Sequence, residues 1–505
     1  MRFNFLKNRQ QAVPVNYEGA NTFKLTPELE LYTAVATASL TPNFYENADA
    51  VLQRIWELIA KTDVKFVAKL AVYAKEEMYL RSVPIVLAVE LAKQHSGDGL
   101  VSALTARIVK RADEITELLA YYAKANNRGN IKQLNKLSKQ LQKGLAGAFN
   151  RFDEYQFAKY NRDTVVKLKD ALFLVHPKAK NEAQQNLFNK IVKDKLETPY
   201  TWEVELSALG LQKYDSAELK KQTVKEKWEE LIFSNKIGYM ALLRNLRNIL
   251  LAEVSYEAIT EVCNYLTNAN AVARSRQLPF RFLSAYRELK ELKNGNTGMV
   301  LNALEEAVLP TTGNIAGYDS NTKVVIAADV SGSMQTALSA RSKVQRFDIG
   351  LVLAMLLQSR YANVMTGMFG DTWKVINVPK KNILASVMEF HRREGEVGYS
   401  TNGYLVVEDL LNRGKVVDKI MMFTDAQLWN GKGNFHFSNL WTQYKQTAPE
   451  AKLYLFDLAG YGNMPLNVLK DDVYVIAGWS DKIFDVLDAI DNGSDALKMI
   501  NAIAL

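Results

Sequence analysis

Apolar residues recur every three or four positions along most of the chain before residue 310. In the segment 48–59, Val51, Leu52, Ile55 and Leu58 form one apolar stripe, which is typical of an amphipathic helix. The same spacing predicts helices over 48–59, 64–73, 84–93, 117–124, 131–145, 154–159, 163–175, 186–196 and 240–250. Short linkers and almost no strand-like runs indicate stacked antiparallel helix pairs, so we expect an α-solenoid.

The pattern changes after a segment rich in turn-forming residues at 309–317. Short apolar and β-branched runs then alternate with helical segments, which indicates a doubly wound, mostly parallel sheet. We expect strands at 323–329, 363–369, 419–424, 451–457 and 473–477, and helices at 347–358, 383–391, 404–411 and the C-terminus. The fold class is therefore α plus α/β, with domains at 1–315 and 320–505.

The formal net charge of +8 is distributed unevenly between these two parts. Nineteen Lys and Arg and nineteen Asp and Glu residues lie from Ser320 onward, so the whole net charge falls on the first 319 residues. A basic helical half indicates an anionic partner. A solvated basic surface without a partner explains the same charge equally well.

Composition and cysteine usage exclude several classes of protein. Hydrophobic residues make up 48% of the chain, which excludes wholesale disorder. The single cysteine, Cys263, excludes an internal disulfide framework and fits a reducing compartment. The sequence shows neither a signal peptide nor an apolar run of about 18 residues, so we expect a cytoplasmic protein without membrane spans.

Oxygen-bearing side chains follow two of the predicted strands. The strand 323–329 ends at Asp329, which begins Asp-Val-Ser-Gly-Ser, and the strand 419–424 is followed by Asp425. A third polar loop, 398–403, precedes a helix, and Gly332 is expected to permit a tight turn between two serines. Loops beyond the carboxyl ends of such strands hold ligands, and oxygen donors suit Mg²⁺ or Mn²⁺. Alternatively, an aspartate after a strand caps the next helix.

These loops resemble the metal-ion-dependent adhesion site of von Willebrand A domains. The resemblance implies Ser331, Ser333 and Thr401 as direct ligands, with Asp329 and Asp425 acting through water. The sixth position would be open to a carboxylate from a partner. Ser400 and Thr401 are adjacent, and we favour the second hydroxyl.

The helical half resembles the TROVE module of the Ro 60 kDa RNA-binding family. The segments 240–248 (Met-Ala-Leu-Leu-Arg-Asn-Leu-Arg-Asn) and 277–286 resemble motifs of this family. Lys159-Tyr160, Lys169-Asp170 with Leu172, and His176-Pro177 reproduce the spacing of a family stretch associated with RNA binding. The resemblance covers most of residues 20–315, and the A-type domain follows in the family's order.

The resemblance implies a ring of HEAT-like helical repeats that is closed by the A domain. Such a ring binds small noncoding Y RNA on its outer surface and single-stranded ends of misfolded RNA near its central hole. Lys159 and His176 match the family's RNA-contacting stretch, and Arg162 stands beside a family arginine position that is Asp163 here. Arg244 and Arg247 lie on one helix face and suit a phosphate or a buried acidic partner.

Local alternatives compete with these RNA assignments. Lys159 is equally interpreted as a solvated surface residue, and His176 before Pro177 as a helix end. The aromatic-rich stretch 149–160 favours core packing over base stacking.

Signals for catalysis are weak. The histidines, at positions 95, 176, 391 and 436, lack zinc-ligand spacing, no Gly-x-x-x-x-Gly-Lys-Ser/Thr loop is present, and Cys263 is expected to pack inside a helix. We therefore expect a monomeric, non-catalytic protein that binds noncoding and misfolded RNA in RNA quality control or maturation. An acidic protein such as an exoribonuclease is the expected partner at the metal site. The alternatives are an adhesion or chelatase-type assembly subunit and a metal-dependent nuclease.

Overall fold

The first half of the chain is helical in the computed structural model, which describes residues 13–38, 48–128, 137–161, 163–312, 321–338, 342–429, 431, 436–468, 470 and 472–505. Its helices are α1 (Pro27–Ala36), α2 (Ala48–Ile59), α3 (Val64–Glu76), α4 (Val83–Gln94), α5 (Leu100–Ile108), α6 (Ala112–Ala125), α7 (Lys139–Phe149), α8 (Glu154–Tyr160), α9 (Leu168–Val175), α10 (Glu182–Val192), α11 (Trp202–Leu211), α12 (Ala217–Phe233), α13 (Tyr239–Leu251), α14 (Tyr256–Thr267), α15 (Ala269–Ser275), α16 (Phe280–Lys290) and α17 (Thr297–Val308). Helices one or two apart in sequence pack against each other, as in an α-solenoid.

The boundaries of these helices follow their capping residues. The predicted helix 48–59 is confirmed, whereas 186–196 is shifted to Glu182–Val192, because the Asn181 side chain accepts a hydrogen bond from the Gln184 amide and starts the helix there. The predicted segment 163–175 is helical only from Leu168. The start of 131–145 lies outside the described residues, and the helix found there is Lys139–Phe149.

The second half forms the predicted α/β domain. Its helices are α18 (Arg346–Arg360), α19 (Ile383–Arg393), α20 (Tyr404–Asn412), α21 (His436–Thr447), α22 (Ile483–Asp491) and α23 (Ala496–Asn501). The strands of the whole chain are β1 (Phe23–Lys24), β2 (Lys323–Asp329), β3 (Asn363–Phe369), β4 (Trp373–Val375), β5 (Lys419–Thr424), β6 (Lys452–Asp457), β7 (Asn463–Met464) and β8 (Val473–Ala477).

The main sheet has the order β4-β3-β2-β5-β6-β8. Every neighbouring pair is parallel except β3 and β4, which form an antiparallel edge that the sequence did not predict. In chain order, β3 is added on one side of β2 and β5 on the other, so the direction in which strands are added reverses at β2. The ends of β2 and β5 therefore meet at the topological switch point, where ligands bind in such sheets.

The helical array contacts the sheet domain at both of its ends. At the start, α1 packs against β8 and α23 packs against α3; at the end, α16 and α17 pack against α19. The Tyr32 hydroxyl of α1 donates to the Ala477 carbonyl and accepts from the Ala477 amide, both at 3.1 Å. These contacts join the helices and the sheet domain into a closed ring, and they place residues 13–38 against the second half.

Two partly buried sets of hydrogen bonds fix the other junction. Arg287 of α16 donates to both carboxylate oxygens of Asp348 in α18, at 2.6 and 2.5 Å. Glu305 of α17 accepts hydrogen bonds from the Leu384 and Ala385 amides at 2.9 and 2.7 Å, which caps the first turn of α19. Both sets of hydrogen bonds join the helical half to the sheet domain.

No helix in the described ranges is long and apolar enough to cross a membrane.

Candidate functional site

The metal loop, residues 329–333, follows a strand that is buried along nearly its whole length. Asp329 ends β2 with no exposed surface. Its Oδ1 accepts from the Ser331 amide at 2.9 Å, and its Oδ2 accepts from the Thr424 hydroxyl at 2.6 Å. The Ser331 and Ser333 hydroxyl oxygens lie 3.2 Å apart. The loop therefore presents two hydroxyls above an anchored carboxylate.

Asp425 follows β5 and is also fully buried. Its Oδ1 accepts from the Gln427 amide at 3.1 Å, whereas its Oδ2 has no hydrogen-bond partner among the described residues. Burial raises its pKa, and the Ser333 hydroxyl partly offsets that rise. Burial, reinforced by the charge of Asp425, raises the pKa of Asp329 to about 7. Because these two buried carboxylates interact with each other, binding of a cation beside them would be favourable.

Ser331, Ser333 and Thr401 line one open cleft of about 550 Å³, which we call the metal cleft. The neighbouring Ser400 also lines it, but its amide donates to Asp371 at 3.0 Å and its hydroxyl lowers the pKa of that aspartate. Because Ser400 is already engaged, the geometry favours the Thr401 hydroxyl as a ligand.

The backbone requires a glycine in the loop 398–403 and not in the metal loop. Gly332 has open space around the position of a Cβ atom and no positive φ, so the expected need for glycine there is wrong. Gly398 has φ +72°, and a Cβ atom on it would lie 2.1 Å from Asp371 Oδ2. The glycine requirement therefore lies at Gly398, which sequence reasoning did not single out.

The donor set fits a hard divalent cation. Within the described residues, no group of three or more His, Cys, Asp and Glu side chains is able to hold a metal, so a site here depends on hydroxyl oxygens. Ser331, Ser333 and Thr401 supply these hydroxyls, and Asp329 and Asp425 supply charge beneath them. Hydroxyl and carboxylate oxygens suit Mg²⁺ or Mn²⁺ better than a softer metal.

A second cleft, of about 410 Å³, lies in the helical half between the ends of several helices. It combines cations with aromatic rings, and we call it the basic-aromatic cleft. Its charged residues are Arg111, Lys159, Glu203, Lys236 and Arg244, and its exposed or half-buried aromatic residues are Tyr155, Tyr160, Tyr200 and Trp202.

Local structure places the residues of α8 at this cleft. Asp153 accepts from the Gln156 amide at 2.7 Å, and the Gln156 side chain accepts from the Asp153 amide at 3.0 Å. This capping box starts α8, and Tyr155 and Lys159, four residues apart, share one face. The Lys159 ammonium lies 5.6 Å from the centroid of the Tyr155 ring.

Other cations lie over rings of the same cleft. The Arg111 guanidinium is 4.5 Å from the Tyr160 centroid, and the Lys236 ammonium is 4.8 Å from the Tyr200 centroid. Such contacts hold the cations beside flat apolar faces. Lys236 is exposed, whereas Arg111 donates to the Asp113 carboxylate at 3.0 and 2.7 Å. The arrangement offers positive charge for phosphates and ring faces for bases.

The structure brings together only some of the predicted RNA residues. Lys159 and Arg244 line the basic-aromatic cleft. Arg247 is exposed one turn further along α13 and does not line the cleft. His176 is exposed and ends α9 with a left-handed backbone at φ 49°, so the structure shows it as a helix end. Arg162 lies outside the described residues.

The aromatic stretch 149–160 divides between core and cleft. Phe149, Phe152 and Phe157 are buried and pack against one another, as expected. Tyr155, however, is 47% exposed and lines the cleft, so the expectation of core packing is wrong for this ring. Tyr160 packs against the core, as expected, and lines the cleft as well. The helical spacing of Tyr155 and Lys159 was the available signal.

Comparison with protein-family models and with known proteins identifies what the chain is similar to. The model of the TROVE domain matches residues 25–194 and 192–349. Telomerase protein component 1 of Rattus norvegicus is 24% identical over 341 residues, covering 52% of this chain. Telomerase protein component 1 of Mus musculus is 24% identical over 322 residues, covering 48%. The chain spans only 12% of the length of either relative.

A solved structure matches nearly the whole chain. The crystal structure of the Deinococcus radiodurans RO (RSR) protein aligns with a TM-score of 0.58 at 17% sequence identity. The match covers 92% of this chain and 99% of that one, so the two share the helical ring and the sheet domain in the same order. Since the TROVE model also covers more than half of the sequence, the chain belongs to the TROVE-domain family.

Proposed function

We propose that this protein binds single-stranded RNA in the basic-aromatic cleft, and so retains small noncoding RNA and the ends of misfolded RNA. The observation that supports this proposal most directly is the alternation of cations with accessible rings in one cleft. Cations bind phosphates with little regard to sequence, and aromatic faces stack on bases that a duplex keeps hidden. The cleft therefore favours unpaired RNA over a helix.

The test is RNA binding by the full chain at several salt concentrations. Lys159→Ala and Arg244→Ala each remove one phosphate contact, so each lowers the affinity for a single-stranded oligonucleotide. Each also reduces the slope of log affinity against log salt by about 0.7, the value for one contact on a single strand. Fluorescence anisotropy with a labelled oligonucleotide measures both quantities.

A substitution of an aromatic residue distinguishes base stacking from phosphate contacts. Tyr155 is exposed, so Tyr155→Ala leaves the fold intact while removing a stacking face. The expected loss is about 1 to 3 kcal/mol of binding free energy with an unchanged salt slope. Lys498→Ala, on α23 of the sheet domain, is the charge-matched control and leaves both quantities as in the wild type. Equal effects of Lys498→Ala and Lys159→Ala would contradict the assignment of the cleft.

We further propose that the metal cleft binds Mg²⁺ or Mn²⁺, and that it recognises a carboxylate rather than RNA. The donor set and the two buried aspartates support the metal. The helical half carries the whole net positive charge, which supports RNA binding away from this site. Asp329→Ala is therefore expected to abolish metal binding and to leave RNA affinity unchanged.

The proposed role is RNA quality control or maturation without catalysis, in which an acidic protein such as an exoribonuclease docks at the metal cleft. A nuclease is the competing function, because a metal held by hydroxyls is able to activate water. RNA that stays intact on incubation with the protein and Mg²⁺ supports binding alone. Cleavage that disappears in Asp329→Ala would favour the nuclease.

A further inference from the structure

Another cleft of the helical half lies where α11 and α12 meet the end of α13. It encloses about 490 Å³, and we call it the apolar groove. Leu206 of α11, Val224 and Trp228 of α12, and Leu251 of α13 form much of its lining. The groove shares no residue with the basic-aromatic cleft or with the metal cleft, so it is a surface separate from both.

Helix α11 carries apolar side chains on two opposite faces. By helical spacing, Trp202, Leu206 and Leu209 lie on one face, and Val204 and Leu211 lie on the other. A helix with apolar residues on all sides is normally buried in a core. Here only Leu209 is buried, and Leu211 is 88% exposed. The helix therefore keeps apolar surface that the described residues of the chain do not cover, and Leu206 presents part of it in the groove.

The face of α12 at the groove carries positive charge and no negative charge. Lys220, Lys221, Val224 and Trp228 line the groove at a spacing that keeps them on one side of the helix, whereas the four glutamates of α12 do not line it. Lys220 is exposed, and its ammonium makes no ion pair with a described residue. Lys221 pairs with Glu253 at 2.8 Å, but both side chains are more than half exposed, so this pair is weak. Both lysines are therefore open to carboxylates of another molecule.

The apolar groove offers a different chemistry from the basic-aromatic cleft. Its aromatic residue, Trp228, is 2% exposed, whereas Tyr155 of the other cleft is 47% exposed. The accessible apolar atoms of the groove belong to the half-exposed Leu251 and the half-buried Leu206 and Val224. Bases gain affinity by stacking on exposed rings, and apolar side chains gain it by burial against aliphatic groups. The groove therefore favours the side chains of a peptide over the bases of RNA.

We propose that the apolar groove binds an acidic amphipathic segment of a partner protein. The apolar side chains of the segment fill the space beside Leu206, Val224 and Leu251, and its carboxylates pair with Lys220 and Lys221. Amphipathic helices bind to grooves in this way, with apolar anchors on one face and charged residues at the rim.

The test uses the full chain and two labelled synthetic peptides, with fluorescence anisotropy as the measurement. Both peptides have leucines at every third or fourth position, and one carries glutamates between them where the other carries lysines. We expect the glutamate peptide to bind the wild type more tightly than the lysine peptide does. Lys220→Glu reverses a charge at the groove, so it binds the glutamate peptide about three- to tenfold more weakly and the lysine peptide more tightly than the wild type does. Misfolding weakens both peptides, so opposite changes exclude it as the cause.

Three further variants locate the binding. Lys143→Glu makes the same change of charge at an exposed position of α7 outside the groove, and it leaves both affinities close to those of the wild type. Leu251→Ser removes an apolar contact and weakens both peptides. Tyr155→Ala, in the basic-aromatic cleft, changes neither affinity, so that failure of RNA binding and failure of peptide binding are distinguishable.

Four outcomes would overturn the assignment of the groove to an acidic segment. The first is a glutamate peptide that binds the wild type no more tightly than the lysine peptide. The second is an equal effect of Lys143→Glu and Lys220→Glu. A single-stranded oligonucleotide whose affinity Lys220→Glu lowers as strongly as Lys159→Ala would assign the groove to RNA. A dimer of the wild type that Leu251→Ser dissociates in sedimentation would assign it to a second copy of the chain.

Discussion

The buried aspartates of the metal cleft connect proton binding to stability. Burial raises the pKa of Asp329 to about 7, whereas an aspartate in an unfolded chain ionises near pH 4. Between these values the unfolded chain has released its proton and the folded one has not. The metal-free protein therefore loses stability as the pH rises from about 4 to about 7, and the loss is complete above that window.

Urea unfolding in a chelator at pH 5 and pH 8 measures this effect. The wild type is expected to be about 2 to 4 kcal/mol less stable at the higher pH. Asp329→Asn removes one ionisation, so its stability depends less on pH. Asp425, whose pKa burial also raises, and Asp457, whose pKa burial raises to about 6, retain a part of the dependence. Adding Mg²⁺ at pH 8 restores stability to the wild type only. A dependence that is identical in the two proteins would argue against Asp329 as its source.

At the scale of single residues, the sequence predicted the site residues that directly follow strands. It did not predict the residues that distant segments of the chain bring together. Asp329, Ser331 and Asp425 were predictable because each stands at or just beyond the carboxyl end of a buried strand. The basic-aromatic cleft was not, since its residues come from separate helices and loops between Arg111 and Gln277. Glu18 also lines the metal cleft, far in sequence from the other residues of the cleft, and no local pattern contains that information.

Among the elements, the loop 398–403 depends on one glycine. Gly398→Ala places a side chain at φ +72° and against Asp371, so the aspartate must move and release Ser400. We expect a loss of about 1 to 2 kcal/mol of folding stability and weaker Mn²⁺ binding, because Thr401 shifts with its neighbour. Chemical unfolding and calorimetry measure the two effects.

Gly414→Ala is the matched control for backbone strain. Gly414 has φ +56° and no atom within 4 Å of a Cβ position, so a side chain there is strained but meets nothing. It is expected to lose stability and to bind Mn²⁺ as the wild type does. Unchanged metal affinity in Gly398→Ala would show that the loop does not position Thr401.

The predictability of an element depends on how much of it is buried. The strands 323–329, 363–369, 419–424 and 473–477 were predicted to the residue, because they are short apolar runs in a sheet core. Helix α12 was missed, since eight of its 17 residues are charged and only Trp228, Leu231 and Ile232 are buried. Capping by Ser216, which accepts from the Leu219 amide, was its clearest local signal.

For the whole molecule, the pair Arg287–Asp348 joins the two halves, with a partly buried guanidinium and a fully buried carboxylate. Asp348 has no exposed surface, so Arg287→Met leaves a buried charge without its partner and is expected to cost about 3 to 5 kcal/mol. The double variant Arg287→Met/Asp348→Asn removes that charge and loses less than the single one. Urea unfolding of the single and double variants measures the difference.

The ion pair Lys343–Glu288 provides an exposed control between the same halves. The Lys343 side chain is 85% exposed, and Lys343→Met is expected to change stability by less than about 1 kcal/mol. A similar effect of Lys343→Met and Arg287→Met would mean that burial does not set the strength of the junction. The domain boundary at 315–320 remains a prediction, because α1 packs against the sheet domain as well as against its neighbouring helices.

The attachment of α1 to β8 has a consequence for synthesis on the ribosome. The hydrogen bonds of Tyr32 with Ala477 join residues 445 positions apart. At roughly 5 to 20 residues per second, the segment that emerges early waits on the order of 20 to 90 s for its strand. During that interval Tyr32, which is fully buried in the folded protein, lacks its partner on β8. The nascent chain therefore offers a chaperone this segment of α1 until β8 has been synthesised.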